Sequence, residues 1–288
     1  MAIKLITYGH KKKPKSLGLG VFDGIHKGHQ AILSQCDALL TFNPHPVTIL
    51  HNTITLDRLT TVKEMTHYIP QLFVLEFNKM IANLSAQDFL NKIILEKINP
   101  SHIVIGYDYH FGKNKEGTPE LFKQWCNNHN IPITIIEPIS NTDQIIKSKA
   151  IRTQLKEGNV NQALDDLGHP YLMIGTVIKG DSRGKELGFP TANLKFPTEK
   201  LIPKKGVYKG NITIENKPYK TMIYIGNRPT FNTKTTTVEA FILDFKGNLY
   251  DQTICLYIEQ YLRPEKTFPN KEALISQINQ DIQNAYGP

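Results

Sequence analysis

Short apolar runs alternate with amphipathic segments through the first half of the chain. The apolar runs have the length of buried strands and lie at residues 17–21, 39–42, 72–77, 101–106 and 131–137. Apolar residues at helical spacing predict helices over 29–40, from Ser85 onward and from Thr118 onward. Such alternation is typical of parallel sheets, whose ligands lie beyond the carboxyl ends of the strands. The first half is therefore predicted to be an α/β unit with a site at that edge.

The pattern changes near residue 171. From there, β-rich runs follow one another without helices between them, at 171–179, 207–214, 220–225, 237–245 and 249–258. Turn residues at 216–218 and 246–248 predict hairpins, and an apolar face over 270–285 predicts a final helix capped by Asn270. Closely spaced strands of this kind favour an antiparallel barrel or sandwich.

A domain boundary is predicted where Gly168-His169-Pro170 ends a helical segment over 159–167. The predicted domains are 1–168 and 169–288. A length of 288 residues is typical of two domains, and a hydrophobic share of 40% is enough for ordinary packed cores.

The cysteines and the apolar runs indicate the cellular compartment of the protein and whether it is associated with a membrane. Cys36, Cys126 and Cys255 are scattered and odd in number, which predicts a reducing cytoplasm rather than a disulfide framework. No apolar run is long enough to span a bilayer, so no membrane partner is expected.

The formal net charge of +8 leaves two kinds of partner open. A basic surface can neutralise the phosphates of a nucleic acid, or it can attract polyanionic small molecules. The basic residues are spread out and match no RNA-binding module. The sequence therefore favours small-molecule substrates over nucleic acid, and it leaves the oligomeric state open.

The segment Gly-Val-Phe-Asp-Gly-Ile-His-Lys-Gly-His at 20–29 leads from the first strand into a helix. Glycines let backbone N–H groups approach an anion, and a helix start adds further donors. His26 and His29 would then stabilise charge on a phosphate, although two solvated loop histidines are the alternative. A metal site is less well supported, because no third ligand lies nearby. The His-x-Gly-His pattern looks like the adenylyl-transfer signature of nucleotidyltransferases and class I aminoacyl-tRNA synthetases.

A second candidate site lies in the C-terminal half. The loop at 180–194 (Gly-Asp-Ser-Arg-Gly-Lys-Glu-Leu-Gly-Phe-Pro-Thr-Ala-Asn-Leu) combines glycines and cations, which suits phosphates. Thr191 and Asn193 are oxygen donors suited to Mg²⁺, or they cap a turn. In the later strand predicted over 237–245, Glu239 faces away from its two apolar neighbours and is the first candidate for a base or orienting carboxylate, with Asp244 as the second.

Taken together and in order, these segments resemble prokaryotic bifunctional riboflavin kinase/FMN adenylyltransferases, also called FAD synthetases. Three further segments are similar to that family: Thr-Phe-Asn-Pro-His-Pro at 41–46, Gly-Tyr-Asp-Tyr-His-Phe-Gly-Lys at 106–113, and Glu-Ala-Phe-Ile-Leu-Asp-Phe at 239–245. The resemblance implies a Rossmann-like nucleotidyltransferase domain followed by a riboflavin kinase β-barrel. It also implies that the barrel makes FMN from riboflavin and ATP, and that the first domain makes FAD from FMN and ATP with release of pyrophosphate.

The resemblance further implies roles for individual residues, with Mg²⁺ as the metal. Four residues would be catalytic: Glu239, His26, His29 and Arg152. Eight would bind ATP or phosphate: Gly20, Phe22, Asp23, Gly28, Ser148, Gly180, Arg183 and Lys185. Six would bind flavin: Asn43, His45, Pro46, Asp108, Phe111 and Arg263. Two would bind the metal: Thr191 and Asn193.

An alternative keeps the kinase and makes the first domain a degenerate, ligand-binding module. The segment 30–40 is shorter than the family's helix there, and Lys147 and Lys149 stand where the family's Ile-Ser-Ser-Thr-x-Ile-Arg motif has hydroxyl residues. A lysine supplies a mobile point charge rather than a fixed hydroxyl donor.

Overall fold

A computed structural model describes residues 3–10, 12–51, 56–141, 144–180, 184, 187–229 and 234–287. Contacts divide the chain into two compact units, Met1–Ser148 and Lys149–Pro288. Along the described residues, no helix is both long and apolar enough to cross a membrane.

The N-terminal unit is built on a six-stranded sheet. Its strands are β1 (Leu5–Gly9), β2 (Ser16–Leu19), β3 (Ala38–Asn43), β4 (Gln71–Glu76), β5 (His102–Gly106) and β6 (Ile133–Ile136). The strand order is β1-β4-β3-β2-β5-β6, and all pairs are parallel except β1 with β4. The order reverses between β2 and β5, which makes the carboxyl ends of these strands the expected ligand crevice. The predicted parallel sheet is confirmed.

Helices cover both faces of this sheet and bury its apolar side chains in two clusters. They are α1 (Lys27–Leu33), α2 (Pro46–Leu50), α3 (Val62–Met65), α4 (Lys79–Ala82), α5 (Ala86–Phe89), a π-helix (Leu90–Ile98) and α6 (Pro119–Asn128). A 3₁₀ turn (Lys113–Lys115) and a small hairpin of β7 (Ser140–Asn141) and β8 (Gln144–Ile145) complete the unit.

The second unit is a closed antiparallel barrel, as predicted. Its strands are β9 (Tyr171–Ile178), β10 (Thr191–Lys195), β11 (Gly206–Ile214), β12 (Lys217–Pro229), β13 (Lys234–Ile242) and β14 (Thr253–Arg263), closed in the order β10-β13-β12-β11-β14-β9. Three helices accompany the barrel: α7 (Ser148–Glu157), α8 (Val160–Leu167) and α9 (Lys271–Tyr286). By contacts, α7 from Lys149 onward and α8 group with the barrel, whereas the functional boundary at 168 stays a prediction.

Side chains along β13 alternate between the barrel interior and its outer face. Val238 is 3% exposed and Ala240 is fully buried, so these residues form part of the barrel core. Glu239 between them is half-buried and faces outward. The sequence-based expectation that Glu239 lies opposite its apolar neighbours is confirmed.

Several predicted boundaries are wrong for identifiable reasons. Helix α1 begins at Lys27 rather than His29, because the ring of His26 caps it, and it ends at Leu33 because β3 must begin at Ala38. The strand predicted from residue 249 begins at Thr253, because residues 249–251 lie in a turn. The antiparallel edge strand β1 was not predicted at all; Ile6 and Tyr8 on it are partly exposed, so it lacks the apolar run of the central strands.

Candidate active sites

A cavity of about 840 Å³ lies at the carboxyl ends of β2 and β5, where the strand order reverses. Six of the predicted site residues line it: Gly20, Phe22, His29, Pro46, Asp108 and Phe111. These residues come from three separate stretches of the chain and meet in one place, which is the edge of the sheet that the alternating pattern indicated.

The loop that follows β2 has an unusual backbone. Phe22 and Ile25 adopt positive φ angles of 53° and 47°, a conformation that costs free energy for any residue with a Cβ. Both side chains are fully buried, and this burial anchors the loop. The carboxylate of Asp23 accepts a hydrogen bond from Thr60 N (3.0 Å), and Thr60 Oγ1 accepts one from Gly24 N (3.1 Å). The strained conformation is therefore held by a segment far away in sequence.

Ser148 completes the support of this loop. Its hydroxyl donates to the backbone oxygen of Asp23 at 2.7 Å. The predicted phosphate residues Asp23 and Ser148 are thus in direct contact, although 125 positions separate them. Their role toward ATP stays a prediction.

His26 and His29 form a stacked pair. Their ring centroids are 3.7 Å apart with an interplanar angle of 18°. The Nδ1 atom of His26 accepts from the backbone N–H of His29 at 3.4 Å, so a neutral His26 carries its proton on Nε2. Gly28 permits this arrangement, since a Cβ there would lie 3.2 Å from the His26 ring.

Burial, together with the neighbouring His26 ring, favours a neutral His29. Burial lowers the pKa of His29 well below its ordinary value, and the nearby His26 lowers it further. Its Nδ1 is buried and makes no hydrogen bond to any described residue. An anion placed beside this ring would favour the charged form of His29.

The predicted flavin residues divide into two groups. Phe111 packs among aromatic rings, 5.5 Å from Phe89 and 5.1 Å from Phe122, and it lines the cavity with the exposed Asp108. Asn43 and His45 are engaged elsewhere and are not among the cavity-lining residues. Asn43 accepts from Arg58 Nη1 at 3.1 Å, and His45 Nδ1 caps α2 by accepting from Val47 N at 3.2 Å.

Arg152, the remaining candidate for adenylyl transfer, is half-buried on α7 in the second unit. Its part in the reaction stays a prediction.

A second cavity, of about 420 Å³, lies on the outer face of the barrel. Strand residues Thr191, Tyr224, Glu239 and Arg263 line it, together with residues of α9 that include Leu274, Ile278 and Asp281. Phe189 also lines it and packs edge-on against Phe241, with 5.3 Å between the ring centroids. The C-terminal helix is therefore a wall of this cavity.

Glu239 stands at the middle of a row of polar side chains. It pairs in register with Asn193 on β10 and with Tyr224 on β12, so all three project from the same face of the barrel. Thr191 Oγ1 donates to Glu239 Oε2 at 3.0 Å. The cluster of Thr191, Asn193 and Glu239 thus supplies the oxygen donors that Mg²⁺ prefers. Among the described residues, no group of three His, Cys, Asp or Glu forms a complete metal cage.

The remaining predicted residues of the loop are only partly described. Gly180 lies after β9 and outside the lining of the cavity, and Arg183 and Lys185 lie outside the described residues. Asp244, the second candidate carboxylate, follows the end of β13 and does not line the cavity.

Sequence reasoning missed two residues of the barrel site, Tyr224 and Asp281. Tyr224 donates its hydroxyl to Glu265 Oε1 at 2.6 Å beside Glu239. Tyr224 lies directly opposite Glu239 in the pairing of β12 with β13, so its side chain is on the same face. The period-two alternation of side chains along β12 was the available signal. Asp281 lies seven residues after Leu274 and three after Ile278, so all three share one face of α9. A carboxylate on this otherwise apolar face was the signal that could have identified it.

The two units thus combine an α/β sheet that carries a glycine-histidine loop at its switch point with a barrel that carries a carboxylate and hydroxyl cluster, an arrangement typical of a nucleotide-dependent transferase with two sites. Family models agree with this division. A model described as FAD synthetase matches residues 9–150, and one described as riboflavin kinase matches residues 167–287.

Relatives match nearly the whole chain. The bifunctional riboflavin kinase/FMN adenylyltransferase of Listeria monocytogenes is 33% identical, over 94% of this chain and 91% of that protein. The proteins of the same description from Bacillus subtilis and Escherichia coli K12 are 32% and 29% identical, over 97% and 92% of this chain and 96% and 90% of their own lengths. The chain belongs to the bifunctional riboflavin kinase/FMN adenylyltransferase family.

A solved structure shares the fold. A crystal structure described as a macrolide-efflux protein from Streptococcus pneumoniae matches with a TM-score of 0.83 and 29% identity, covering 96% of this chain and 95% of that one.

Proposed function

We propose that the barrel transfers the γ-phosphoryl group of ATP to the 5′-hydroxyl of riboflavin, and that the N-terminal unit transfers an adenylyl group from a second ATP to the FMN so formed. The kinase part of this proposal rests on the cavity on the outer face of the barrel, where Glu239 lies beside Thr191. The observation that carries the other half is the stacked histidine pair at the switch point of the parallel sheet.

In the kinase reaction, Glu239 orients the riboflavin hydroxyl and accepts its proton as the new P–O bond forms. The bond from the γ-phosphorus to the bridging oxygen breaks, and ADP leaves with the electron pair. The hydrogen bond from Thr191 holds one carboxylate oxygen, which leaves the other to face the substrate. The aromatic and aliphatic side chains of Phe189, Leu274 and Ile278 exclude water from the flavin, so that the hydroxyl rather than water attacks.

Thr191 and Asn193 would hold Mg²⁺ brought by ATP, because this ion favours oxygen donors and usually binds to proteins through few side chains. When bound, the ion would neutralise charge on the phosphate oxygens. Thr191, Asn193 and Glu239 offer only oxygen atoms, and they are too few to surround an ion by themselves. The site therefore suits a metal ion that the protein shares with a nucleotide, rather than one enclosed by protein ligands alone.

In the adenylyl transfer, the phosphate of FMN is already an anion and needs no base. It attacks the α-phosphorus of ATP, the bond from that phosphorus to the bridging oxygen breaks, and pyrophosphate leaves with the electron pair. His26 and His29 stabilise the charge that develops on these oxygens. Phe111 and Asp108 would contact the flavin through an aromatic face and a polar anchor.

The test is incubation of the protein with riboflavin, ATP and Mg²⁺, followed by chromatographic separation of the flavins. Both FMN and FAD are expected, and absence of both products would reject the proposal. FMN production without pyrophosphate release from FMN and ATP would instead favour the alternative of a degenerate N-terminal unit.

The variant Glu239→Gln assigns the two reactions to the two units. It should lower FMN formation by about 10²–10⁴-fold, as loss of a general base does, and leave the conversion of FMN to FAD unchanged. Glu199→Gln, at an exposed position, is the matched control and should change neither rate. Loss of both activities in Glu239→Gln would contradict the assignment.

A further inference from the structure

Arg263, the last residue of β14, brings a permanent positive charge to the wall of the kinase cavity. Only 14% of its side chain is exposed. A charge removed from water to this extent needs a close partner, because the cost of losing hydration otherwise exceeds the gain from packing. The partner fixes where the guanidinium group can point.

Asp281 on α9 is that partner. Its side chain is 6% exposed, and its two oxygens accept from Arg263 Nε at 2.9 and 3.0 Å and from Arg263 Nη2 at 2.6 Å. This is a bidentate contact along one side of the planar guanidinium group, the geometry that restricts arginine most. Gln277, one turn earlier on α9, donates to Asp281 Oδ1 at 2.9 Å and so fixes the carboxylate in turn.

The contact leaves part of the guanidinium group free. Arg263 Nη1 also donates to Pro264 O at 3.0 Å. An arginine has five N–H bonds, one on Nε and two on each terminal nitrogen. One N–H on Nη1 and one on Nη2 therefore make no hydrogen bond to any described residue. Both belong to a side chain that lines the cavity with Glu239 and Thr191.

We infer that Asp281 is a positioning residue of the riboflavin kinase site: it holds the Arg263 guanidinium so that the two remaining N–H groups meet acceptor atoms of the flavin. This inference rests on the proposed kinase function. It commits to the flavin rather than to ATP because the same cavity wall includes the apolar side chains of Phe189, Leu274 and Ile278, which suit a flat aromatic ring.

The first test is Asp281→Asn, which keeps the shape of the side chain but replaces one acceptor oxygen by an N–H₂ group and removes the charge. The KM for riboflavin should rise about tenfold to hundredfold, as expected for loss of a hydrogen bond to a charged group. The kcat at saturating riboflavin, the KM for ATP and the conversion of FMN to FAD should stay as in the wild type. A raised KM with unchanged kcat indicates lost binding that is equal in ground and transition states.

A second variant separates positioning from folding, because Asp281→Asn leaves a buried arginine without its counter-charge. Arg263→Met with Asp281→Leu removes both partners, a replacement that proteins often accept without loss of stability. It should unfold at the temperature of the wild type and still show the raised riboflavin KM of Arg263→Met alone. Asp251→Asn, at an exposed turn position, is the matched control and should leave all kinetic constants unchanged.

The inference is overturned if the doubly substituted protein keeps the wild-type KM for riboflavin. It is also overturned if Asp281→Asn changes the unfolding temperature alone, or if the defect lies in the KM for ATP. Failure of the wild-type protein to form FMN would instead count against the proposed function, so the two outcomes are distinguishable.

Discussion

Tyr109 brings a hydroxyl group into apolar surroundings. Its ring lies 5.7 Å from Phe111 and 6.3 Å from Phe122, and its oxygen is buried without a hydrogen-bond partner among the described residues. Burial raises the pKa of this hydroxyl, because the charged form would lose hydration.

Removing that hydroxyl should stabilise the N-terminal unit. We expect Tyr109→Phe to raise its free energy of unfolding by about 1 kcal/mol, since an unsatisfied buried polar group costs about 1–3 kcal/mol. Urea unfolding followed by the fluorescence of Trp125 measures this, because the sole tryptophan is buried in the core of this unit. Tyr8→Phe, at an exposed position, should change stability by less than about 0.5 kcal/mol. A loss of stability in Tyr109→Phe would mean that the hydroxyl is bonded after all.

The lowered pKa of His29 makes the same unit sensitive to acid. As the pH falls below the ordinary histidine value of 6.5, the unfolded chain takes up a proton before the folded protein does. The stabilisation is thus complete above that value and is lost as the pH falls toward the lower folded-state pKa. We expect His29→Asn to lose less stability than the wild type between pH 7.5 and pH 5, measured by Trp125 fluorescence. Equal losses in the two proteins would argue against a neutral His29.

At the scale of elements, the C-terminal helix is joined to the barrel at its last turn. The Tyr286 hydroxyl accepts from Gly210 N at 3.1 Å and from Thr221 N at 3.2 Å, and it donates to Gly210 O at 2.6 Å. Gly210 and Thr221 are register partners on β11 and β12. One side chain therefore satisfies backbone groups of two strands and fixes the helix that walls the kinase cavity.

Loss of that hydroxyl should weaken the barrel. We expect Tyr286→Phe to lower its free energy of unfolding by about 1–3 kcal/mol, because buried backbone N–H groups lose their acceptor. Circular dichroism follows the unfolding of both units, so the shift should appear there and not in the Trp125 transition, which reports the other unit alone. The matched control is Tyr250→Phe, at an exposed position. Unchanged barrel stability in Tyr286→Phe would show that other groups satisfy these strands.

Element types were more predictable than the partners of single residues. Period-two alternation predicted that Glu239 lies on the outer face of β13, because successive side chains of a strand point to opposite faces of the sheet. The sequence could not indicate that Thr60 and Ser148 support the loop at Asp23, since these contacts join distant segments without a local pattern. Helix α1 was predicted two residues late, because a histidine cap lies outside the usual Ser, Thr, Asp and Asn set.

At the scale of the whole molecule, each unit has its own core and its own cavity. A mixture of two complementary variants tests whether the two activities are separable. Glu239→Gln alone should form FMN and FAD from riboflavin only at a rate about 10²–10⁴-fold lower than that of the wild type, and His26→Asn alone should stop at FMN. Mixed together, they should form FAD after a lag, because FMN released by one protein reaches the other through solution. Chromatography of the flavins over time measures this; FMN that accumulates without FAD would mean that the product of one chain is not accepted by another.

The placement of the kinase groups on the outer wall of the barrel has a consequence for how this protein tolerates change. On β13, Val238, Ala240 and Ile242 form part of the packed interior, whereas Glu239 and Phe241 line the cavity. Neighbouring positions therefore have different roles: one contributes to the stability of the barrel, and the next contributes to the reaction. The effect of a substitution along this strand should therefore alternate with a period of two: an interior position changes the stability of the barrel, and the next position changes the kinase activity while the barrel beneath it stays folded.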